Sequence, residues 1–254
     1  MARILETNRL TKTFGAVTAA AEISVGIEEG TIVGVIGANG AGKTTFLNLV
    51  TGYLRPTSGT VSFDGREVTG ETPRRLTRLG LCRSFQIPQV FDSLTTYENL
   101  LVGLGIAKST RRTPTESTAA PEKTASELLQ KFGLERYREA TAKTLAEGVR
   151  KLLDIAMALT MNPRMLLLDE PTSGVSAEEK FSLMDLVLGA IRQDRVAVLF
   201  VEHDMEIVRQ YTQRVLAFYE GKIIADGPSA AVLEDPAVRR YVVGEENRRS
   251  VQER

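Results

Sequence analysis

A glycine-rich turn over residues 37–44, Gly-Ala-Asn-Gly-Ala-Gly-Lys-Thr, constrains the fold of this chain more than any other stretch. It stands between an apolar run at 31–36, which predicts a strand, and a helical pattern at 44–50. Glycines let successive backbone N–H groups converge on anionic oxygens, and a helix N-terminus adds about half a positive charge. The sequence therefore predicts a strand, a phosphate-binding loop and a helix in direct succession.

The residue types of this loop suit a bound nucleotide. Lys43 supplies a mobile ammonium for phosphate oxygens, and the Thr44 hydroxyl is suited to Mg²⁺. An ordinary glycine-rich turn is the alternative, but the strand before it and the helix after it favour phosphate binding. The predicted nucleotide-binding residues of the loop are Gly37, Asn39, Gly40, Gly42, Lys43, Thr44 and Thr45.

Composition limits the kind of protein this chain can be. In its 254 residues, 32 Lys and Arg balance 32 Asp and Glu, so no net charge favours nucleic acid or an anionic membrane as a partner. Cys82 is the single cysteine, which excludes an internal disulfide and a thiolate metal cluster. No apolar run is long enough to cross a bilayer, and the first residues lack a signal-peptide pattern, so we expect neither secretion nor membrane spanning.

Hydrophobic patterning changes twice along the chain. The predicted strands are 4–10, 23–27, 31–36, 61–63, 165–168, 196–201, 215–219 and 223–225, and the predicted helices are 44–50, 97–106, 122–132, 149–159, 177–191 and 205–211. The middle of the chain is thus helical, and strand–helix alternation returns after residue 163. Residues 109–121, rich in Ser, Thr and Pro, predict a mobile loop.

A second candidate site lies where the apolar run at 165–168 ends in Asp169 and Glu170. Open α/β sheets place ligand-binding groups at such strand ends. Side chains alternate along an extended chain, so we expect the two carboxylates to point in different directions, one towards Mg²⁺ and one towards an attacking water. A strand end with solvated charges is the alternative.

With these motifs the chain resembles the ATP-binding subunits of ABC transporters over nearly its whole length. The resemblance implies an α/β P-loop NTPase with a mixed or parallel core sheet, an antiparallel β subdomain and an inserted helical subdomain. It implies one domain over 1–254, with a nucleotide-binding lobe at 1–86 and 161–254 and a helical lobe at 87–160. It also implies that ATP is hydrolysed with Mg²⁺, that Asp169 belongs to the metal site, and that Glu170 polarises the hydrolytic water.

Three further residues match positions of that family. Arg83-Ser84-Phe85-Gln86 matches the loop whose glutamine senses Mg²⁺ and the γ-phosphate, so Gln86 is the implied residue, with Gln89 as a rival. His203, the single histidine, matches the switch histidine that contacts the γ-phosphate. Phe14 resembles the aromatic that stacks on adenine, and a core phenylalanine is the alternative.

The family's signature, Leu-Ser-Gly-Gly-Gln, is altered here to Leu145-Ala146-Glu147-Gly148-Val149. In the family this loop binds the nucleotide of a partner subunit, a role the resemblance gives to Ala146 and Gly148. Ala146 lacks the hydroxyl, and losing a hydrogen bond to a charged acceptor costs about 1.5–3 kcal/mol. Glu147 brings a carboxylate towards a triphosphate and a backbone that we expect to be strained. Ser176 replaces an aspartate that links the two sites in most relatives.

The resemblance extends to a subfamily, the LivG-type importers of branched-chain amino acids. It rests on residues 85–91, the helix starting Tyr97-Glu98-Asn99-Leu100, residues 201–205 and the ending at 240–244. It implies two membrane permeases and a second, non-identical ATPase subunit as partners, and a peripheral position on the cytoplasmic face of the cell membrane. Phe91 and Leu94 are candidates for the groove that accepts a permease helix, or are simple core residues.

Other functions stay open at this point. Close relatives import urea, short amides or aromatic acids, and a related ATPase extracts lipopolysaccharide. A regulatory subunit that binds ATP with weak or no hydrolysis is favoured by Ala146 and Ser176 but opposed by Glu170. An ABC ATPase acting on nucleic acid or ribosomes is disfavoured, because such chains usually carry two ATPase modules or long coiled-coil inserts.

Overall fold

The computed structural model describes residues 2–110, 120–191 and 195–244. They fall into two compact units, of which unit 1 is Met1–Pro73 with Ala197–Arg254 and unit 2 is Arg74–Val196. Along the chain, unit 2 is therefore an insertion between the two segments of unit 1. Among the described helices, none combines the length and the apolar composition that crossing a membrane requires.

The described elements follow one another in this order: β1 (Arg3–Phe14), β2 (Val17–Glu28), β3 (Ile32–Gly37), α1 (Lys43–Val50), β4 (Ser58–Phe63), β5 (Arg66–Glu67), α2 (Pro73–Leu79), β6 (Leu81–Ser84), α3 (Thr96–Thr110), α4 (Pro121–Lys131), α5 (Glu147–Leu159), β7 (Met165–Asp169), α6 (Ala177–Ile191), β8 (Ala197–Val201), α7 (Met205–Tyr211), β9 (Arg214–Tyr219), β10 (Lys222–Pro228), α8 (Ser229–Glu234) and α9 (Pro236–Val238). Short 3₁₀ turns at Glu135–Tyr137 and Ala142–Thr144 precede α5, and a π-helical turn at Arg239–Val243 follows α9.

Unit 1 contains two sheets. An antiparallel sheet has the strand order β2-β1-β4-β5, and its last hairpin turns through Asp64 and Gly65, at φ 51° and 68°. In the other sheet β3 pairs in parallel with β8 and with β9, and β9 pairs antiparallel with β10. All five residues of β8 are buried, as expected for a parallel strand that is covered on both faces.

Unit 2 joins a parallel strand pair to a group of helices. β6 pairs with β7 from Leu81 opposite Met165 to Ser84 opposite Leu168, so both strands end at the same edge. Every residue of β7 is buried. Helix α3 packs against α4 and α5, and α5 also packs against β6 and α6. Helix α5 therefore lies beside the strand that leads into Gln86.

The mixed pairing of unit 1, its antiparallel sheet and the inserted helical region confirm the predicted α/β fold class. The predicted helices 177–191 and 205–211 match α6 and α7 residue for residue. Strand β6 was not predicted, because four residues including Cys82 and Arg83 show neither an apolar run nor alternation. Only its pairing with β7 identifies it as a strand.

The predicted lobes at 1–86, 87–160 and 161–254 differ in their bounds from the two compact units, since unit 2 also contains β6, β7 and α6. That functional division stays a prediction. Of the predicted mobile loop at 109–121, residues 111–119 lie outside the described residues. Its ends are helical, because Ser109 belongs to α3 and Pro121 begins α4.

Candidate functional site

In unit 1 the predicted phosphate-binding loop runs from the end of β3 to the start of α1. Lys43 opens the helix and is 6% exposed. Its Nζ donates hydrogen bonds to the carbonyl oxygens of Gly37, at 2.6 Å, and of Ala38, at 3.0 Å. The Thr44 side chain is exposed and that of Thr45 is half-buried. A buried ammonium therefore sits within the loop, and the first turn of α1 carries basic and hydroxyl groups that suit an anion.

Gly42 gives this loop its shape. It caps α1 with φ at 101°, in the left-handed region that favours glycine. A Cβ at this position would lie 2.5 Å from the Ala19 carbonyl oxygen and 3.1 Å from Gly221 Cα. Gly221 in turn donates its N–H to the Ala41 carbonyl oxygen at 2.9 Å. Strand β2 and the turn between β9 and β10 therefore pack directly against the predicted phosphate-binding loop.

His203 lies at the same edge of this sheet as the loop. Val35 of β3 pairs with Val201 of β8, and the Glu202 N–H donates to the Val35 carbonyl oxygen at 3.2 Å. Asp204 caps α7 by accepting from the N–H groups of Glu206 and Ile207 at 3.0 and 3.4 Å. The His203 side chain, held between strand and cap, is exposed. Parallel pairing therefore brings the histidine and the loop to one end of the sheet.

Phe14 occupies a different part of unit 1, at the end of β1 in the antiparallel sheet. Its side chain is 49% exposed, and the Lys12 ammonium lies 5.0 Å from the centre of the ring. Lys12 also donates to the Arg55 carbonyl oxygen at 2.8 Å. The alternative of a core phenylalanine does not agree with this exposure. A half-exposed ring backed by a cation leaves stacking on a base as its predicted role.

In unit 2 the structure brings Gln86 and Glu170 together. The Gln86 Nε2 donates to the Glu170 Oε2 at 2.7 Å, because β6 and β7 end at the same edge. The rival Gln89 donates its Nε2 to the Ile87 carbonyl oxygen within its own loop, at 3.0 Å. The geometry therefore favours Gln86 over Gln89 as the partner of the predicted catalytic carboxylate.

Asp169 and Glu170 do face different partners, but not for the expected reason. Glu170 has φ at 50°, so the chain is not extended there and strict alternation does not apply. Asp169 accepts from Arg83 of β6, with 2.6 Å between Nη2 and Oδ2, and both side chains are at most 10% exposed. The left-handed turn at Glu170, a strained conformation for this residue type, separates the two carboxylates.

Helix α5 contributes two buried charges that no sequence motif indicated. Lys151, 2% exposed, donates its Nζ to the Glu170 carbonyl oxygen at 2.9 Å. Asp154, 7% exposed, accepts from the Phe85 N–H at 3.2 Å and from the Gln89 N–H at 3.0 Å. Burial raises the pKa of the Asp154 carboxyl to about 6, and the two backbone N–H groups and Lys151 oppose part of that rise. Lys151 and Asp154 lie one turn apart among the apolar residues of α5, and this pattern in the sequence could have indicated buried charges.

The altered signature forms the start of α5. Ala146 is the N-cap and makes no side-chain capping bond, and Glu147 follows as the first helical residue. The expected backbone strain is absent at Glu147, since it is not among the described residues with positive φ. The Glu147 carboxylate is directed at Gly174, where an added Cβ would collide with both carboxylate oxygens. Gly148 faces Val175, whose Cγ2 would be 3.6 Å from an added Cβ.

The donors predicted for Mg²⁺ are all oxygen atoms, from Thr44 in unit 1 and from Gln86 and Asp169 in unit 2. Oxygen donors fit this hard cation. Within the described ranges, no cluster of three or more His, Cys, Asp or Glu side chains gathers to hold a metal ion by itself.

The sequence is similar to those of known ATP-binding proteins of transporters. A family model described as "ABC transporter" matches residues 20–173. A probable branched-chain amino acid transport ATP-binding protein LivG from Archaeoglobus fulgidus is 35% identical over 248 residues, covering 95% of this chain and 96% of the relative.

Solved structures are similar in fold as well. MJ1267, an ATP-binding cassette of an ABC transporter, matches with a TM-score of 0.83 and 31% identity, covering 95% of this chain and 99% of the other. The ATP-binding cassette MJ0796, solved as a dimer in a post-hydrolysis state with ADP and Pi, matches with a TM-score of 0.76 and 25% identity. That match covers 89% of this chain and 98% of the cassette.

Replacing Gly42 by alanine is expected to destabilise unit 1 by several kcal/mol. The left-handed φ alone costs about 1–2 kcal/mol, and the collision with Ala19 and Gly221 adds to it. Gly65→Ala is the matched control, because its φ of 68° is also left-handed but its Cβ would meet open space. The free energy of unfolding in urea measures both, and equal losses would contradict the role of Gly42.

The pKa of Asp154 predicts a pH-dependent stability. Its pKa is about 6 in the folded chain against an ordinary 3.8, so the folded state binds the proton more tightly. The resulting stabilisation is complete below pH 3.8 and is lost as the pH rises through 6, a change of about 3 kcal/mol. Urea unfolding at a series of pH values should show this loss in the wild type. Asp154→Asn should remove it, and identical pH profiles would contradict the assignment.

Proposed function

The chain belongs to the ABC transporter family of ATP-binding proteins, and we propose that it hydrolyses ATP to drive an importer of branched-chain amino acids. Membership of this family makes it an ABC ATPase. The substrate proposal is supported by the LivG relative, which matches along 96% of its own length. The single observation that carries the proposed hydrolysis is the 2.7 Å contact between Gln86 and Glu170 at the ends of two parallel strands.

Unit 1 supplies the groups that bind the triphosphate. The loop N–H groups and the positive end of α1 hold phosphate oxygens, and the Lys43 ammonium adds a charge-assisted bond. Lys43 Nζ donates hydrogen bonds to two carbonyl oxygens of the loop, and these bonds position it within the loop. His203 donates a hydrogen bond to the γ-phosphate from its exposed position after β8, and Phe14 stacks on the adenine.

Unit 2 supplies the groups that act on the reacting centre. Glu170 polarises the attacking water and accepts its proton as general base. The amide of Gln86 orients the Glu170 carboxylate through Oε2, and Lys151 fixes the backbone of Glu170 through its carbonyl oxygen. Glu170 is thus held at its carboxylate by Gln86 and at its backbone carbonyl oxygen by Lys151, and a preorganised group lowers the cost of reorganisation in the transition state.

Thr44, Asp169 and Gln86 would hold Mg²⁺, which when bound neutralises charge on the phosphate oxygens. Arg83 bonds to one oxygen of Asp169, Oδ2, and so orients this carboxylate. Because the pair is buried, removing Arg83 would leave a buried charge without compensation.

The proposed assembly contains two permeases and a second ATPase subunit that differs from this one. Support comes from the family and from the dimer formed by the MJ0796 cassette. In this assembly the chain lies on the cytoplasmic face of the cell membrane and contacts the membrane through the permeases, with half-exposed Phe91 and half-buried Leu94 as candidate contacts. The unlike partner would carry a more complete signature than Ala146-Glu147-Gly148.

The proposal is tested with Glu170→Gln in the assembly recovered from its own cells through a tag on this chain. Without a general base, we expect MgATP to bind as in the wild type while hydrolysis falls by about a hundredfold or more. In cells with this variant as their only copy, uptake of radiolabelled leucine, isoleucine and valine should be lost.

Glu178→Gln, an isosteric change at an exposed position of α6, is the matched control and should keep both activities. Unchanged hydrolysis in Glu170→Gln would favour a regulatory subunit. Normal leucine uptake with loss of urea, amide or aromatic-acid uptake, or of lipopolysaccharide export, would overturn the substrate proposal.

The altered signature yields a prediction about the partner. Ala146→Ser combined with Glu147→Gly restores a hydroxyl and removes a carboxylate, so hydrolysis by the purified chain alone should rise about tenfold or more. Ala120→Ser with Glu122→Gly makes similar changes at the start of α4 and should leave the rate unchanged. A full hydrolysis rate in the unmodified chain alone would contradict the need for an unlike partner.

A further inference from the structure

The Asp154 carboxylate accepts hydrogen bonds from backbone N–H groups on both sides of Gln86. Its Oδ2 accepts from the Phe85 N–H at 3.2 Å, and its Oδ1 accepts from the Gln89 N–H at 3.0 Å. These amides stand immediately before Gln86 and three residues after it. One side chain of α5 therefore closes a short loop whose first exposed residue is Gln86.

This loop needs an anchor because it exposes its own side chains to solvent. Ile87 is 74% exposed, and Gln86 and Gln89 are exposed as well. Fixing one backbone residue costs about 1–2 kcal/mol of conformational entropy, whereas a solvent-exposed hydrogen bond returns about 1 kcal/mol. The contact between Gln86 and Glu170 cannot by itself hold the loop in place. Some buried interaction must do so.

Polar contacts also hold residues 91 and 92, which follow the loop. Arg150 bonds to Asp92 at 2.7 Å, but Asp92 is 63% exposed, and ion pairs in that environment contribute little. Asn99 accepts from the Phe91 N–H at 2.8 Å and donates to the Phe91 carbonyl oxygen at 3.1 Å. Both sets of contacts lie at residues 91 and 92 and therefore outside residues 85–89. Asp154, 7% exposed, is a buried anchor that acts on the backbone on both sides of Gln86, and the Arg83 guanidinium adds a contact 4.9 Å from the centre of the Phe85 ring.

We propose that Asp154 is a positioning residue for ATP hydrolysis, which acts by holding residues 85–89 so that the Gln86 amide reaches Glu170. The inference rests on the proposed function. The chemistry calls for a carboxylate, since two acceptor oxygens are needed for two N–H donors and an asparagine offers one. Lys151 lies one turn earlier on the same helix and bonds to the Glu170 carbonyl oxygen. Helix α5 thus fixes both partners of the Gln86–Glu170 contact.

Amide hydrogen exchange of the full chain tests the anchor without requiring hydrolysis. Asp154→Ala should raise the exchange rates of the Phe85 and Gln89 amides by about tenfold or more, since both lose their acceptor. Asp235→Ala is the matched control, because Asp235 also accepts from two backbone N–H groups, which are those of Ala237 and Val238 in unit 1. Exchange at residues 85–89 that is unchanged in Asp154→Ala would overturn the inference.

Steady-state hydrolysis by the recovered assembly tests how the anchor acts. Asp154→Ala should lower kcat about tenfold and leave KM for ATP within about twofold, because the two bonds that it removes go to the Phe85 and Gln89 amides and not to the phosphate-binding loop. In a Gln86→Ala background the same substitution should cause no further loss, since the side chain that it positions is gone. Equal losses in both backgrounds would show a purely structural role and overturn the inference.

Asp154→Asn keeps the shape of the side chain and one acceptor oxygen, so it guards against a variant that fails to fold. Its kcat should lie between those of the wild type and Asp154→Ala, and a wild-type kcat would overturn the inference. The wild type separates the two proposals. If it does not hydrolyse ATP, the proposed function fails and this inference fails with it. If it does and the double-mutant result is additive, this inference alone fails.

Discussion

The structure depends on parallel strand pairing, because it brings the carboxyl ends of neighbouring strands to one edge. In unit 1 the pairing of β3 with β8 and β9 places the phosphate-binding loop, His203 and Gly221 at the same end of a sheet. In unit 2 the pairing of β6 with β7 does the same for Gln86 and Glu170. Each of these predicted site groups follows the end of a strand, so the strand register decides which of them can meet.

Buried polar contacts then fix the orientation of the groups that strand pairing brings together. The Gly221 N–H holds the phosphate-binding loop through the Ala41 carbonyl oxygen. Arg83 orients Asp169, and Lys151 and Asp154 of α5 hold Glu170 and the loop around Gln86. Such contacts are strong because water is excluded from them, and they are costly to leave half-formed. The helix that carries them also begins with the altered signature, so one rigid element joins the signature to the groups around Glu170.

The alterations of the signature are accommodated by the fold. Glu147 has an ordinary helical start, and its carboxylate is directed at Gly174 of the same chain. The backbone therefore does not need a glycine at this position. Ala146 nevertheless has no hydroxyl to donate to a phosphate oxygen. The function that we predict to be weakened is the one that this chain would provide to a partner's nucleotide, which is why an unlike partner is part of the proposal.

The sequence by itself determined the fold class, most of the helices and strands, and the place of the predicted phosphate-binding loop between a strand and a helix. Glycine spacing, apolar runs and strand-end carboxylates are local patterns, and the family resemblance extended them to Gln86 and His203. Only the tertiary structure decided that β6 is a strand, that Gln86 rather than Gln89 meets Glu170, and that Glu170 turns left-handed after Asp169. It also identified Arg83, Lys151 and Asp154 as partners of the site. These features are pairings between residues far apart in the chain, and no local pattern of residue types specifies which distant group a buried charge will meet.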